Sequence, residues 1–523
     1  MTKPFQRAGK EKTVQGLTYK PRALPLLAAM ALTIGMAGCA SVPEDHNLYP
    51  QQDIASAQVA AGIRLAREGW PDRQWWTQYG DAQLNSLVAQ ALSASPTLEV
   101  AAARIDAARA SLEFNNADKG ANINLNAQAN RQRYSSNGLF PAPIGGATYS
   151  ETILQVQARY DFDWWGKHRA QIASALGETN ARRADYAQAE QTLAAAIAQS
   201  YFSLQGGWAQ LANLRQTIAI QNSLVADKAR RIASGLATAD QQRMAESDLS
   251  MLNRQAAQLE AQAGMEKEAL RALVAGDSNA LAGLKPQQLA DVPHTLPASL
   301  GMELLARRAD LQAARWRVEA ALSSVDAAKA AFYPDISLTG SVGLDSLSLD
   351  KLFAGNSRTL FIGPTLTLPL FDSRRLEARL GSVRSERNEM IADYNQSVFN
   401  AVRDVAQQAV NMRGVENQIA QQDEVVHASR DLLKTAQARL KQGLAERGAV
   451  LNAELALSKQ EYASLQLKDQ QLQTEVSLVK ALGGGYRADV PSAASASPAS
   501  ALTTLIAPIA PTAPTAALTQ TTK

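Results

Sequence analysis

Few side chains in this 523-residue chain are of the kinds that hold metals or make and break bonds. His46, His168, His294 and His427 are scattered, with no HxxxH or HExxH spacing and no cysteine ligand near any of them. No Ser/His/Asp set or close carboxylate pair stands out, so neither a metal centre nor a nucleophilic site is expected, and no enzyme. The one cysteine, Cys39, excludes an internal disulfide. A net charge of +3 without any basic tract argues against nucleic acid as a partner. The chemistry that remains belongs to one thiol and to polar side chains at regular spacing.

The thiol's context is informative. Lys10, Lys12, Lys20 and Arg22 precede an apolar run from Ala23 to Ala37. That run is too short for the roughly 20 residues a spanning helix needs, but it suits a secretory leader. It ends in Met36-Ala37-Gly38-Cys39, which resembles a bacterial lipobox with methionine in the commoner leucine's place. The resemblance implies cleavage after residue 38 and a covalent lipid on Cys39, with no other cofactor. Ala40 follows, where an inner-membrane lipoprotein usually carries aspartate, so the outer membrane is the expected address. The alternative is a plain leader followed by a chance cysteine.

Regular spacing dominates the rest. In Thr152–Trp164, Leu154, Val156, Ala158, Tyr160, Phe162 and Trp164 alternate with Gln155, Gln157, Arg159, Asp161 and Asp163. The period is that of a strand with one apolar and one wet face. Strands are predicted near 122–133, 152–164, 335–345 and 359–371, each long enough to cross a bilayer when tilted by about 45°. Pro364 and Pro369 weaken the last of them. Ala-rich helical runs follow, from Lys167 to about Ser234 and from Arg374 to about Gln442, each reaching roughly 100 Å at 1.5 Å per residue. Leu193, Ile197, Tyr201, Leu204, Trp208, Leu211 and Ile218 form a seam of steps of three and four. Gly206-Gly207 and Gly414 are expected to divide these helices into stacked pieces. Gly235 and Gly443 are placed to end them and turn the chain back. Trp164 and Trp165, where strand becomes helix, suit either an interfacial aromatic belt or core packing.

The chain also repeats itself at a shift of about 210 residues. "NINL" from Asn122 meets "DISL" from Asp335, "ADY" from Ala184 returns from Ala392, and "SGLA" from Ser234 returns as "QGLA" from Gln442. Such a shift is too long for a solenoid and marks a duplicated half-molecule. The expected organisation is a leader over 1–38, a lipidated lead over 39–80, a first repeat over 81–290 and a second over 291–486. An Ala/Pro/Ser/Thr-rich tail over 487–523 is expected to be disordered. The fold class is mainly α with membrane β: long antiparallel coiled-coil helices plus four strands in an internally duplicated protomer.

"QWWTQYGDAQLNSLVAQALSASPTLEVAAARIDAARA" from Gln74, "YDFDWWGKHRA" from Tyr160, "MELLARRADLQAAR" from Met302, "AAFYPDISLTGSVG" from Ala330 and "LVKALGGGY" from Leu478 resemble the TolC-type outer membrane factors. More narrowly, they resemble the NodT-like lipoprotein branch that serves RND efflux pumps. Ala309 departs from the proline usual there. The resemblance implies a homotrimer whose four strands per chain close a barrel of about twelve in outer membrane lipid, above a periplasmic helical tunnel. It implies a passive exit duct for drugs, organic compounds or metal ions, fed by a periplasmic adaptor protein and an inner-membrane RND-type pump. Adaptor contacts carry over to Gly235, Leu236 and Ala237 in one hairpin and to Gly443, Leu444 and Ala445 in the other. Relatives often close the tunnel with an arginine, a tyrosine and an aspartate twelve residues after that tyrosine. The matching positions here are Arg439, Leu440 and Asn452, so the arginine is present while the tyrosine and the aspartate are not. Asp240 is either its substitute or a helix amino-terminal cap. The competing expectations are a periplasmic adaptor, which lacks paired amphipathic strands, and a structural coiled-coil lipoprotein, which has none.

Overall fold

The computed structural model describes residues 41–52, 70–277, 279–292, 307–369 and 371–487. The leader, Cys39, His294 and all but the first residue of the expected tail lie outside them.

Four strands form one antiparallel sheet in the order β1 (Asn122–Arg133), β2 (Thr148–Phe162), β3 (Asp335–Ser346) and β4 (Arg358–Thr367). A purely coiled-coil lipoprotein is therefore excluded. Two strands, β2 and β4, differ from expectation in their limits. β2 begins at Thr148 and stops at Phe162, because Asp163 leaves the ladder to accept the amides of His168 (3.0 Å) and Arg169 (3.0 Å), capping the helix that follows. β4 ends at Thr367, ahead of Pro369, which has no amide for a ladder. Pro364 stays in β4, an outer strand of the sheet, opposite Leu338.

The helices are α1 (Ala82–Ala94), α2 (Pro96–Ala117), α3 (Lys167–Ala233), α4 (Ala239–Leu273), α5 (Ala309–Ala330), α6 (Ser373–Lys441) and α7 (Arg447–Ala481). Both long helices, α3 of 67 residues and α6 of 69, are unbroken, which corrects the expected division at the glycines. Gly206 instead lets α7 approach: a methyl at that position would lie 2.8 Å from the Asp469 carboxyl carbon. A single mid-helix glycine costs about 1 kcal/mol in propensity, which neighbouring packing can outweigh.

The main core surrounds α3. Leu84, Val88, Ile197, Tyr201, Phe202, Leu204, Leu270 and Leu472 are fully or almost fully buried there. The tryptophan motif near the start of the described chain packs into it. Trp75 donates its indole N–H to Gln191 (3.2 Å), and Tyr79 meets Phe202 edge-on. Asp81 caps α1 through the amides of Gln83 and Leu84 and also accepts the Tyr201 hydroxyl proton. Burial pushes the Tyr79 and Tyr201 phenols upward, the latter reinforced by its bond to Asp81, so both stay neutral. Ala309 opens α5 at the first helical position, where the commoner proline would also fit. Beside it the almost buried Arg308 pairs with Asp310 (2.6 Å) and donates to the Ala481 carbonyl (2.8 Å), joining α5 to the end of α7.

Candidate functional site

Three features other than the packed core stand out: the sheet's two faces, the hairpin tips and the extended lead. In the sheet, the register aligns one side-chain class across all four strands. Leu125 stands opposite Val156, Val156 opposite Val342, and Val342 opposite Leu360. The next row on that face is Ile123, Ala158, Gly340 and Ile362. These side chains are not covered by the protomer: Leu125 is 71% exposed, Leu360 82% and Ile362 72%. The opposite face carries Asn124, Gln157 and Ser341 in one row, which ends in Phe361 of β4, and Asn122, Arg159, Thr339 and Gly363 in another, with Arg159 paired to Asp161 at 2.8 Å. A slip of one residue would exchange the faces, so the alternation fixes register strongly. The outer edges of β1 and β4 find no partner among the described residues.

At the helix end of the apolar face sits an aromatic group. Trp165 stacks on Tyr333 with ring centroids 4.7 Å apart and donates its indole N–H to the Pro334 carbonyl (2.8 Å). Tyr160, Phe162 and Trp164 follow one another at 5.1 and 6.3 Å. Trp164 is 65% exposed and Trp165 49%, so neither is a core residue of the protomer.

The two tips share one construction. Gly235 and Gly443 have φ of +70° and +73°, the left-handed region that favours glycine. In the first tip the Gly235 amide bonds to the Ile232 carbonyl and that of Leu236 to Arg231; in the second, Gly443 bonds to Leu440 and Leu444 to Arg439. Each is a Schellman closure. Leu236 and Leu444 are left 68% and 73% exposed at the ends. Arg439 and Leu440 thus supply carbonyls to the turn, while the Arg439, Asn452 and Asp240 side chains form no hydrogen bond or ion pair among the described residues. Asp240 lies in the first turn of α4, whose cap position is Thr238, so it is not the cap itself. What does join the hairpins is an ion pair that the residue pattern did not suggest, Arg231 of the first with Glu446 of the second. Its only sequence signal is opposite charge at nearly matching distances from the two glycines.

The lead runs extended over residues 41–52 along α6. Arg384 donates to the Pro43 (2.6 Å) and Glu44 (3.1 Å) carbonyls, Asn388 to Asn47 (2.6 Å) and Asn395 to Pro50 (3.0 Å). Val42 packs beside Val325, Phe332, Leu380 and Val383, just below β3. Arg387, 3% exposed, pairs with Asp45, and its hydrogen bond holds that carboxyl below the usual carboxylate range.

Among the described residues no cluster fits a metal ion and no helix is long and apolar enough to cross a membrane. Unpaired sheet edges and irregular backbone cannot face hydrocarbon, whereas a closed amphipathic sheet can.

Comparison with known proteins agrees with this geometry. The family model "Outer membrane efflux protein" matches residues 87–276 and 300–484, one segment in each half of the duplication. The chain is 36% identical over 473 residues to the multidrug resistance outer membrane protein MdtP of Shigella flexneri, covering 89% of this chain and 97% of that protein. It is 35% identical over 472 residues to MdtQ of Escherichia coli O157:H7, again a multidrug resistance outer membrane protein, covering 88% and 98%. The crystal structure of the outer membrane protein VceC from Vibrio cholerae superposes with a TM-score of 0.72 at 31% identity, over 80% of this chain and all of that one.

Proposed function

The chain belongs to the outer membrane efflux protein family, a channel of the bacterial outer membrane and no enzyme, and from that premise we propose how it is assembled and what feeds it. The duct is a homotrimer. Three copies of the sheet close a barrel of about twelve strands, the apolar rows facing lipid and the Asn/Gln/Ser rows facing water. One observation carries this reading: a four-stranded sheet with apolar rows running across all four strands on one face, two edges unpaired among the described residues, and helices of 67 and 69 residues continuing from the same strands. Closure around three copies removes the edges and gives the exposed Val410, Phe399 and Leu432 of α6 a neighbour.

Lipid on Cys39 anchors the chain to the periplasmic side of the outer membrane. Support comes from the lead, which holds Val42, three residues later, beside Phe332 at the foot of the sheet. Trp164 and Trp165 sit at that same membrane boundary. The tips Gly235–Ala237 and Gly443–Ala445 receive a periplasmic adaptor on Leu236 and Leu444, and an inner-membrane RND-type pump supplies the energy. The relatives' description as multidrug resistance proteins favours small organic drugs as cargo. At the closed end the Arg231–Glu446 pair ties the two hairpins of each copy together. Arg439, Asn452 and Asp240, whose side chains have no polar partner among the described residues, line the gate together with Leu440.

The test is complementation of a deletion strain. Wild-type protein should run as a trimer in outer membrane extracts and restore drug resistance, while Cys39→Ser should lose stable anchoring. Monomeric protein in the soluble periplasm, or resistance restored after removal of both strand pairs, would defeat the proposal.

A further inference from the structure

The apolar face of the sheet is not apolar to both ends. At its helix end it carries Tyr160, Phe162, Ile336 and Leu366 and no cation. At the far end the same alternation brings Arg131 and Arg133 onto it, opposite Ser150 and Thr148, and Arg358 into the row of Leu154 and Leu344. Arg133 is the last residue of β1 and Arg358 the first of β4, so all three lie at the rim away from the helices. Each is exposed, and none has an ion-pair partner among the described residues. The nearby carboxylates Glu151 and Asp345 occupy the alternate positions and turn to the wet face, where Glu151 accepts from Asn130 at 3.2 Å.

Arginine on the lipid side of a barrel is strongly unfavourable at the bilayer midplane and close to neutral at the interface. Its planar fork binds phosphate oxygens through two parallel N–H bonds. Arg131 and Arg133, two residues apart on one face, present two such forks roughly 7 Å apart. In a closed trimer β4 of one copy adjoins β1 of the next, which brings the strand that carries Arg358 against the strand that carries the neighbour's Arg131 and Arg133 along each seam. We infer that this rim is a binding site for the phosphate groups of the phosphorylated glycolipid in the outer leaflet, one cluster of three arginines at each seam. The inference rests on the barrel reading above, because only a lipid-facing sheet turns these side chains toward headgroups. Beyond closing the barrel, the rim then holds a shell of glycolipid that fixes the depth of the duct.

The test uses the full-length trimer in detergent, with bisphosphorylated lipid A as probe and retained lipid read by native mass spectrometry. Wild type should retain about tenfold more than the R131Q/R133Q/R358Q variant, and a variant with lysine at all three positions should fall between them. Dephosphorylated lipid A should be retained equally by wild type and the glutamine variant. Equal retention of bisphosphorylated lipid A by those two would overturn the site. Phosphatidylglycerol retained by wild type as well as lipid A would overturn the glycolipid assignment. Running the same samples as intact trimers separates the readings: a monomeric wild type sinks the barrel, whereas trimers without preferential retention sink only the rim site.

Discussion

The helices α3 and α6 are copies of one ancestral element, offset by the same 208 residues that separate Gly235 from Gly443, yet they live in different surroundings. α3 is packed by α1, α2, α4, α5 and α7, whereas among the described residues the main helical neighbours of α6 are α5 and α7, with the lead beside them. Phe202 of α3 is 1% exposed; its counterpart at that offset, Val410, is 62% exposed. Gly206 meets Asp469, while no described residue comes within 4 Å of a methyl placed at the corresponding Gly414. Duplication thus produced one helix enclosed by the protomer and one that is buried on one side only, with Val410 left uncovered by the described residues.

Truncating the paired side chains is the strongest way to break this comparison. Phe202→Ala should destabilise the protomer by about 3–5 kcal/mol, read as a lower urea midpoint. Val410→Ala should leave that midpoint within about 0.5 kcal/mol and weaken only the trimer, read by dissociation on heating. Equal effects on the protomer would show that the two helices are equivalent after all.

The glycines sharpen it. Gly206→Val should cost about 1–3 kcal/mol by forcing α7 away. Gly414→Ala should gain about 0.5–1 kcal/mol of helix propensity. A loss at Gly414 instead would reveal a neighbouring copy packed against that site.

Asp469, opposite Gly206, offers a pH test. Burial is the main cause, with Glu266 adding to it, and Gln473 opposes them in pushing its carboxyl up to about 6. The fold therefore favours the neutral acid. That contribution is complete below about pH 4 and lost as pH rises through about 6. Asp469→Asn should flatten stability between those values and leave the variant about 1–3 kcal/mol more stable at pH 7. In the other hairpin the counterpart is the exposed Ala261, where no such dependence is expected. An unchanged profile in Asp469→Asn would remove the buried acid from this account.

The smallest effect belongs to the tips, where the hairpins are most alike. Arg231→Ala should change stability by about 1 kcal/mol or less, since the pair is partly exposed to solvent. It should nonetheless raise antibiotic uptake, and exchanging the charges of Arg231 and Glu446 should reverse that. Asn452→Asp should lower uptake if that position faces the gate; unchanged uptake and single-channel conductance would exclude it.

Much of the architecture was legible because its signals are local. Asn122–Arg133 alternates residue by residue, so its length and its two faces follow from the chain alone. The tip glycines announce themselves as left-handed closures after long helical runs. The β2 boundary was not legible, because Asp163 continues the alternating pattern while its carboxylate is taken by amides five and six residues ahead. Nor was the Asp45–Arg387 pair, whose partners stand more than 340 residues apart.

What the sequence by itself determined is the set of parts: strands of period two, helices of fixed length and their duplication. These depend on neighbours within a few residues, which any stretch of chain carries with it. Only the tertiary structure decided which copy of the helix is enclosed, why Gly206 is needed while Gly414 is free, and which charges meet at the tips. Two copies with nearly the same periodicity can be told apart only by contacts from distant segments, and those exist only once the chain has closed on itself.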